Sequence, residues 1–144
     1  MWQRIQTLYL LLSTVLVGLL FFVNKAVIPA ADGAVAQEIT YTVYTPYLIL
    51  LIIITLLHLI ALTTFRVRVL QMRTAMFAAL VTLGLQAWLA VDYFTADPGV
   101  VFRVSVLFPL AAIVLDVLAA RSILADQLMV ESVARLRSRR KNGK

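Results

Sequence analysis

His58 is the single histidine of the chain, and Asp116 is an acidic residue embedded in an otherwise apolar stretch. An ionisable group in hydrocarbon costs at least about 2.5 kcal/mol near a helix centre, so each marks a candidate site. Counting residues from the ends of their stretches puts the two at comparable depth. A His58–Asp116 pair could bind and release a proton within a transporter or an energy-coupled complex. The plainer expectation is an interhelical hydrogen bond that fixes packing, worth about 0.6–2 kcal/mol. That expectation is preferred, because a proton relay usually needs more than one such pair. Gln86, in the middle of another apolar stretch, is expected to bond a neighbouring helix rather than line a pore. Ser13 or Ser105 could complete a hydrolase trio with His58 and Asp116. Neither serine sits in a nucleophile-elbow sequence, and both are expected nearer the helix ends than His58, so no catalytic residue is assigned.

The residue inventory excludes other chemistries. With no cysteine and one histidine, the chain cannot build a thiolate metal site, an iron–sulfur cluster or a two-histidine haem site by itself. Its five glycines are scattered singly, so there is no phosphate-cradling loop. No cofactor and no metal are expected.

The elements that must position these groups follow from composition. Hydrophobic residues make up 62% of the 144 residues and charged residues 14%. Soluble chains average roughly 45–50% and 25%, so this chain cannot cover a water-facing surface. A crossing of the roughly 30 Å hydrocarbon layer takes about 20 apolar helical residues. Uncharged stretches predict spans at about 8–23, 47–64 and 75–94. A fourth, at about 100–120, is uncharged only from Val104 to Leu115 and must tolerate Arg103 and Asp116 near its ends. Arginine can reach an interface along its aliphatic stem, whereas Asp116 needs a partner. The expected fold is all-α: one membrane domain, 1–144, with four transmembrane helices.

Charge bias supports the fourth span. Of the 13 basic residues, only Lys25 and Arg103 fall on one side if there are four spans. The others precede the first span, link the second to the third, or follow the fourth. Basic loops stay in the cytoplasm, so both termini are expected there, in a bacterial inner membrane. This placement also accounts for the net charge of +6 without nucleic acid as a partner. Ala34-Val35-Ala36 resembles a signal-peptide cleavage site, but it lies far beyond Val23, and the first span is expected to be retained.

Residues 24–46 form the expected outer loop, with turns at Pro29, Asp32 and Gly33. Residues 39–45 alternate like a short strand, yet Tyr41, Tyr44 and Tyr47 also recur at helical spacing. The interfacial-belt role is preferred, because a lone strand has no evident partner. Asp97-Pro98-Gly99 predicts a tight turn between spans three and four. At that end Asp92, Asp97 and Arg103 are expected to form a surface ion pair. Pro109 is expected to kink the fourth helix, with Ser105 satisfying the freed backbone group. Thr14 with Gly18, and Ala75 with Ala79, offer small-residue spacings for close helix approach. The fourth helix should continue past Arg121 into a basic tail, 121–144. There Arg135, Arg137, Arg139, Arg140 and Lys141 are expected to lie on the inner leaflet, at about 1 kcal/mol per charge.

Several stretches carry a resemblance. The opening QRIQT with the apolar run after it, the segment VRVLQMRTAMF, Phe108-Pro109-Leu110, and the close from Leu118 through Arg137 resemble a family of small membrane proteins. It is the domain-of-unknown-function family 4293, found in Bacteroidota, and the likeness spans nearly the whole chain. Ala120 stands where the family often has Asn, and Ala125-Asp126-Gln127 replaces a more charged stretch. The resemblance implies a four-span inner-membrane protein and no activity. The expected function is therefore a non-enzymatic accessory subunit, with membrane lipids and protein partners in a larger membrane complex. The alternative is a small homo-oligomeric transporter or channel, which would need His58, Gln86 and Asp116 to face one water-accessible cavity.

Overall fold

The computed structural model describes residues 2–30 and 34–142. The turn expected at Asp32 and Gly33, and Lys144 of the tail, lie outside the described residues, as do the side chains of Arg139, Arg140 and Lys141. The chain is mostly helical. Helix α1 spans Trp2–Leu19, α2 Thr45–Thr63, α3 Arg68–Thr95 and α4 Phe108–Asn142. Each helix packs on two others, α1 on α2 and α4, and α3 on α2 and α4, so the four close into a bundle. Helices α2 and α4 stand on its diagonal.

The bundle is apolar on its outside. Leu8, Leu11, Val15, Ile49, Leu56, Phe77, Leu80 and Val114 are all about half exposed, around the bundle and along the helices. A water-soluble monomer does not leave so large a contiguous apolar surface uncovered. Three helical stretches are long and apolar enough to cross a bilayer: α2, α3 and 104–138. Helix α1 contributes a shorter apolar stretch, Ile5–Leu19. The chain is a membrane protein.

Lipid tails are as apolar as leucine, so burial alone does not hold such helices together; close packing and polar contacts do. The interior is accordingly rich in alanine. Ala61 of α2, Ala75 of α3 and Ala119 of α4 pack with Leu10 of α1 in one cluster. Ala75 and Ala79, expected to let helices approach closely, are both buried. The Thr14–Gly18 spacing does not behave this way. A Cβ built on Gly18 meets nothing within 4 Å, and the Thr14 hydroxyl turns back to Leu10 O at 2.7 Å.

A small sheet caps one end of the bundle. Strand β1 (Asn24–Pro29) pairs antiparallel with β2 (Val35–Thr40) and, on its other edge, with β3 (Val101–Phe102), in the order β2-β1-β3. The strand signal at residues 39–45 is corrected: β2 runs Val35–Thr40, so only Ile39 and Thr40 of that stretch lie in it, and the residues from Tyr41 to Tyr44 turn into α2. Tyr41 follows β2 and is fully buried, while Tyr44 and Tyr47 stack edge-on with each other and with Trp88.

The turn after α3 is as expected: Val100 N–H donates to Asp97 O at 3.2 Å, and Gly99 takes φ of +130°, which favours glycine. Pro109 does not kink α4. It occupies the second position of that helix, after a 3₁₀ turn at Val104–Leu107, where its missing N–H would be unpaired in any case. Ser105 bonds elsewhere, as described below. The continuation of α4 beyond Arg121 is confirmed as unbroken helix to Asn142.

Candidate functional site

The polar groups of the bundle gather at three levels. The middle level sits on the bundle axis. His58 projects from α2 toward α4, with Nε2 3.0 Å from Asp116 Oδ1 and 2.8 Å from Ser13 Oγ of α1. All three side chains are fully buried. On the other side of the ring, Nδ1 lies 2.8 Å from Ile54 O, one turn back on α2. A carbonyl oxygen only accepts, so Nδ1 carries a hydrogen. Ser13 Oγ in turn donates to Ala112 O at 3.3 Å. Ser13 and Asp116 thus both meet the ring at Nε2. The hydrogen bond between His58 and Asp116 offsets part of the cost of burying both polar groups. Among the described residues Asp116 Oδ2 has no hydrogen-bond partner.

Residue types alone would suggest a Ser–His–Asp relay, and geometry removes it. A relay needs the serine and the carboxylate on opposite ring nitrogens, one activated and the other orienting. Here both face Nε2, and Nδ1 is committed to the backbone. The arrangement ties three helices together and does not raise the nucleophilicity of Ser13. The expectation that Ser13 lies nearer a helix end than His58 is corrected: α1 runs Trp2–Leu19 and α2 Thr45–Thr63, which places both in the body of their helices.

Gln86 does not join this level. It lines a groove between α3 and the 3₁₀ turn, and its Oε1 has no partner.

The second level lies at the sheet end. Lys25 Nζ of β1 is 2.8 Å from Asp92 Oδ2 of α3, and the Tyr47 hydroxyl of α2 donates to the same oxygen. Lys25 also lies 4.9 Å from the centre of the Tyr47 ring, a cation–π contact. Asp92 therefore pairs with Lys25. Among the described residues Asp97 and Arg103 form no ion pair, which corrects the expected grouping. The reason is local: Arg103 N–H donates to Lys25 O at 2.9 Å. That bond brings Lys25 to the end of α3. Beside it, the Tyr41 hydroxyl donates to Ser105 Oγ at 3.2 Å, and Ser105 donates to Asn24 O at 2.7 Å. Burial pushes the Tyr41 phenol above its ordinary value, partly offset by the Ser105 bond.

The third level closes the opposite end. Arg68 Nη1, at the start of α3, is 3.2 Å from Asp126 Oδ2 of α4. Past this contact α4 leaves the bundle. Arg135 and Arg137 are exposed there, as are Leu128, Met129, Val133 and Leu136, and Gln127 Nε2 donates to Glu131 Oε1 at 3.2 Å.

Sequence reasoning missed Lys25 and Tyr47 as partners, and set Ser13 with His58 and Asp116 only as a hydrolase trio. Arg68 and Asp126 were findable, since charge bias already puts both at the same end. Among the described residues no group of three or more histidine, cysteine, aspartate or glutamate side chains could hold a metal ion.

Comparison with known proteins adds one match. The model of the family described as Domain of unknown function (DUF4293) covers residues 2–136, and the chain belongs to that family. No curated protein and no solved structure matches the chain.

Proposed function

We propose that this member of the domain-of-unknown-function 4293 family is a four-span protein of a bacterial inner membrane, serving without catalysis as an accessory subunit of a larger complex. Helix α1 supplies the fourth crossing. Its 18 residues extend about 27 Å, and the turns that follow carry Leu20–Val23 onward to the interface. Both termini then lie with the basic residues on the cytoplasmic side.

The carrying observation is the extension of α4. At 100° per residue, Leu128, Met129, Val133 and Leu136 fall within one arc, opposite Gln127 and Glu131. Met129, Val133 and Leu136 follow a four-then-three spacing, as in a helix–helix seam. They are 53–67% exposed, beyond the level at which the bundle ends. An apolar seam of that kind on the aqueous side calls for a protein partner. Arg135 and Arg137 flank it, suited to anionic headgroups at the membrane surface.

The competing transporter reading needs His58, Gln86 and Asp116 on one wet cavity. Two of these are sealed at zero exposure and the third faces a separate groove, which counts against it.

Purification in mild detergent followed by native mass spectrometry tests the proposal. The expected result is a fixed-stoichiometry partner that is lost from the Met129→Glu/Leu136→Glu variant. A monomer alone, or a partner indifferent to that variant, refutes it. Reporter fusions at both termini should give cytoplasmic signals.

A further inference from the structure

Arg103 lies between β3 and the 3₁₀ turn, at the bundle end opposite the α4 extension. Its backbone is fixed by the bond to Lys25 O, while its side chain is exposed and has neither ion pair nor hydrogen bond among the described residues. The acid that could have neutralised it, Asp92, is taken by Lys25 and Tyr47. A groove runs on each side of this cation. One, of about 420 Å³, lies between Gln86, Ala90 and Phe94 of α3 and Val106 and Leu107. The other, of about 740 Å³, is bounded by Phe22, Val27, Val101 and Phe108. Phe102, Arg103 and Val104 belong to both, forming the ridge that separates them.

We infer that this ridge binds one anionic phospholipid, its phosphate on Arg103 and one acyl chain in each flanking groove. The guanidinium fork matches phosphate oxygens in a bidentate way, and such charge-assisted bonds strengthen where water is scarce. From Phe94 to Gln86 the first groove follows α3 for about 12 Å, from the sheet end toward the middle of the bundle. Its walls are mostly apolar, as are those of the second groove, which also holds Asn24 and Ser105. Two mostly apolar grooves meeting at one cation, unpaired among the described residues, fit an amphiphile with two tails and one negative head. A free phosphate would leave both grooves unfilled, and a single-tailed amphiphile would leave one.

The inference rests on the membrane reading above but not on the partner. Absence of a copurifying protein leaves it standing, and failure of lipid binding leaves the α4 seam untouched. The test titrates the full-length protein in mild detergent with dioleoyl phosphatidylglycerol under native mass spectrometry. One saturable lipid is expected. Arg103→Gln should weaken it about ten-fold, the loss of one charge-assisted contact. Val104→Trp, which crowds both grooves and leaves the charge, should weaken it comparably. Dioleoyl phosphatidylcholine, with the same tails and phosphate but no net charge, should bind less tightly. Glycerol 3-phosphate should not compete. Both variants alter exposed side chains, and unchanged helical circular dichroism verifies their folding. Equal affinity of wild type and Arg103→Gln overturns the inference. So does equal affinity for the two lipids, displacement by glycerol 3-phosphate, or uptake of many lipids with no saturable first one.

Discussion

His58 Nε2 meets Asp116 Oδ1 at 3.0 Å across the diagonal of the bundle, between two helices that are not packing neighbours. The contact therefore restrains α2 and α4 through the centre, with Ser13 of α1 as the third anchor. In a double-mutant cycle, His58→Leu and Asp116→Leu should show a coupling of about 0.6–2 kcal/mol, the range of hydrogen bonds between membrane helices. Asp116→Asn keeps a polar group facing Nε2 and should cost about 1 kcal/mol. Asp116→Ala leaves His58 short of a partner beside a new void and should cost about 2 kcal/mol more. Denaturant unfolding in detergent micelles measures all three. Additive effects of the two leucine substitutions would show that the contact does not hold the bundle.

That pairing was legible in the sequence, because depth can be counted from the ends of apolar runs, and in an up-down bundle α2 and α4 run the same way, so equal counts give equal depths. Ser13 was not. Counted from Leu8 it lies five residues deep, close to the six that separate His58 from Thr64, but a lone serine in an apolar run carries no signal that it faces the bundle interior. The sheet was legible only at one edge: the strand signal at residues 39–45 shares just Ile39 and Thr40 with β2, β1 does not alternate and ends in Pro29, and β3 is two residues long. Pairings this short are set by the helices that deliver them. The same delivery gives Asp92 to Lys25, distant in sequence, over Arg103, its closer neighbour along the chain.

The sheet-end cluster separates the three residues once grouped together. Asp92→Ala removes the acceptor of both Lys25 and Tyr47, with the Lys25 side chain only 12% exposed. It should destabilise by about 1–3 kcal/mol, the cost of leaving partly buried polar groups unpaired. Asp97→Ala and Arg103→Gln touch exposed, unpaired side chains, and should stay within about 0.5 kcal/mol. Thermal unfolding of the three variants side by side reads the difference. Equal effects at Asp92 and Asp97 would mean that the Lys25 contact carries no weight.

Tyr41 makes the sheet end sensitive to alkali. Burial raises its phenol above 10.0, so the folded protein keeps it neutral where an unfolded chain ionises it. The stability it contributes is whole below pH 10 and is lost as pH rises from there through the folded value. Ultraviolet difference spectra should show fewer tyrosines titrating near pH 10 than in the denatured chain. Tyr41→Phe should remove one of the late-titrating groups and lessen the alkaline loss of stability. A wild-type titration in which every tyrosine ionises together would contradict the buried Tyr41–Ser105–Asn24 chain.

Removing the extension of α4 tests whether it serves the fold or something outside it. Beyond Asp126 the helix buries no large apolar side chain: Leu128, Met129, Val130, Val133 and Leu136 are each more than half exposed. A chain ending after Gln127 keeps the Arg68–Asp126 contact and every packing layer above it. Its unfolding midpoint should match the full chain within about 0.5 kcal/mol, as for other surface changes. Asp126→Asn in the full chain should cost about 0.5–1 kcal/mol, because its ion pair is only partly buried. If the truncated chain instead loses several kcal/mol, the extension folds back as part of the core, and the seam from Met129 to Leu136 serves this chain rather than a partner.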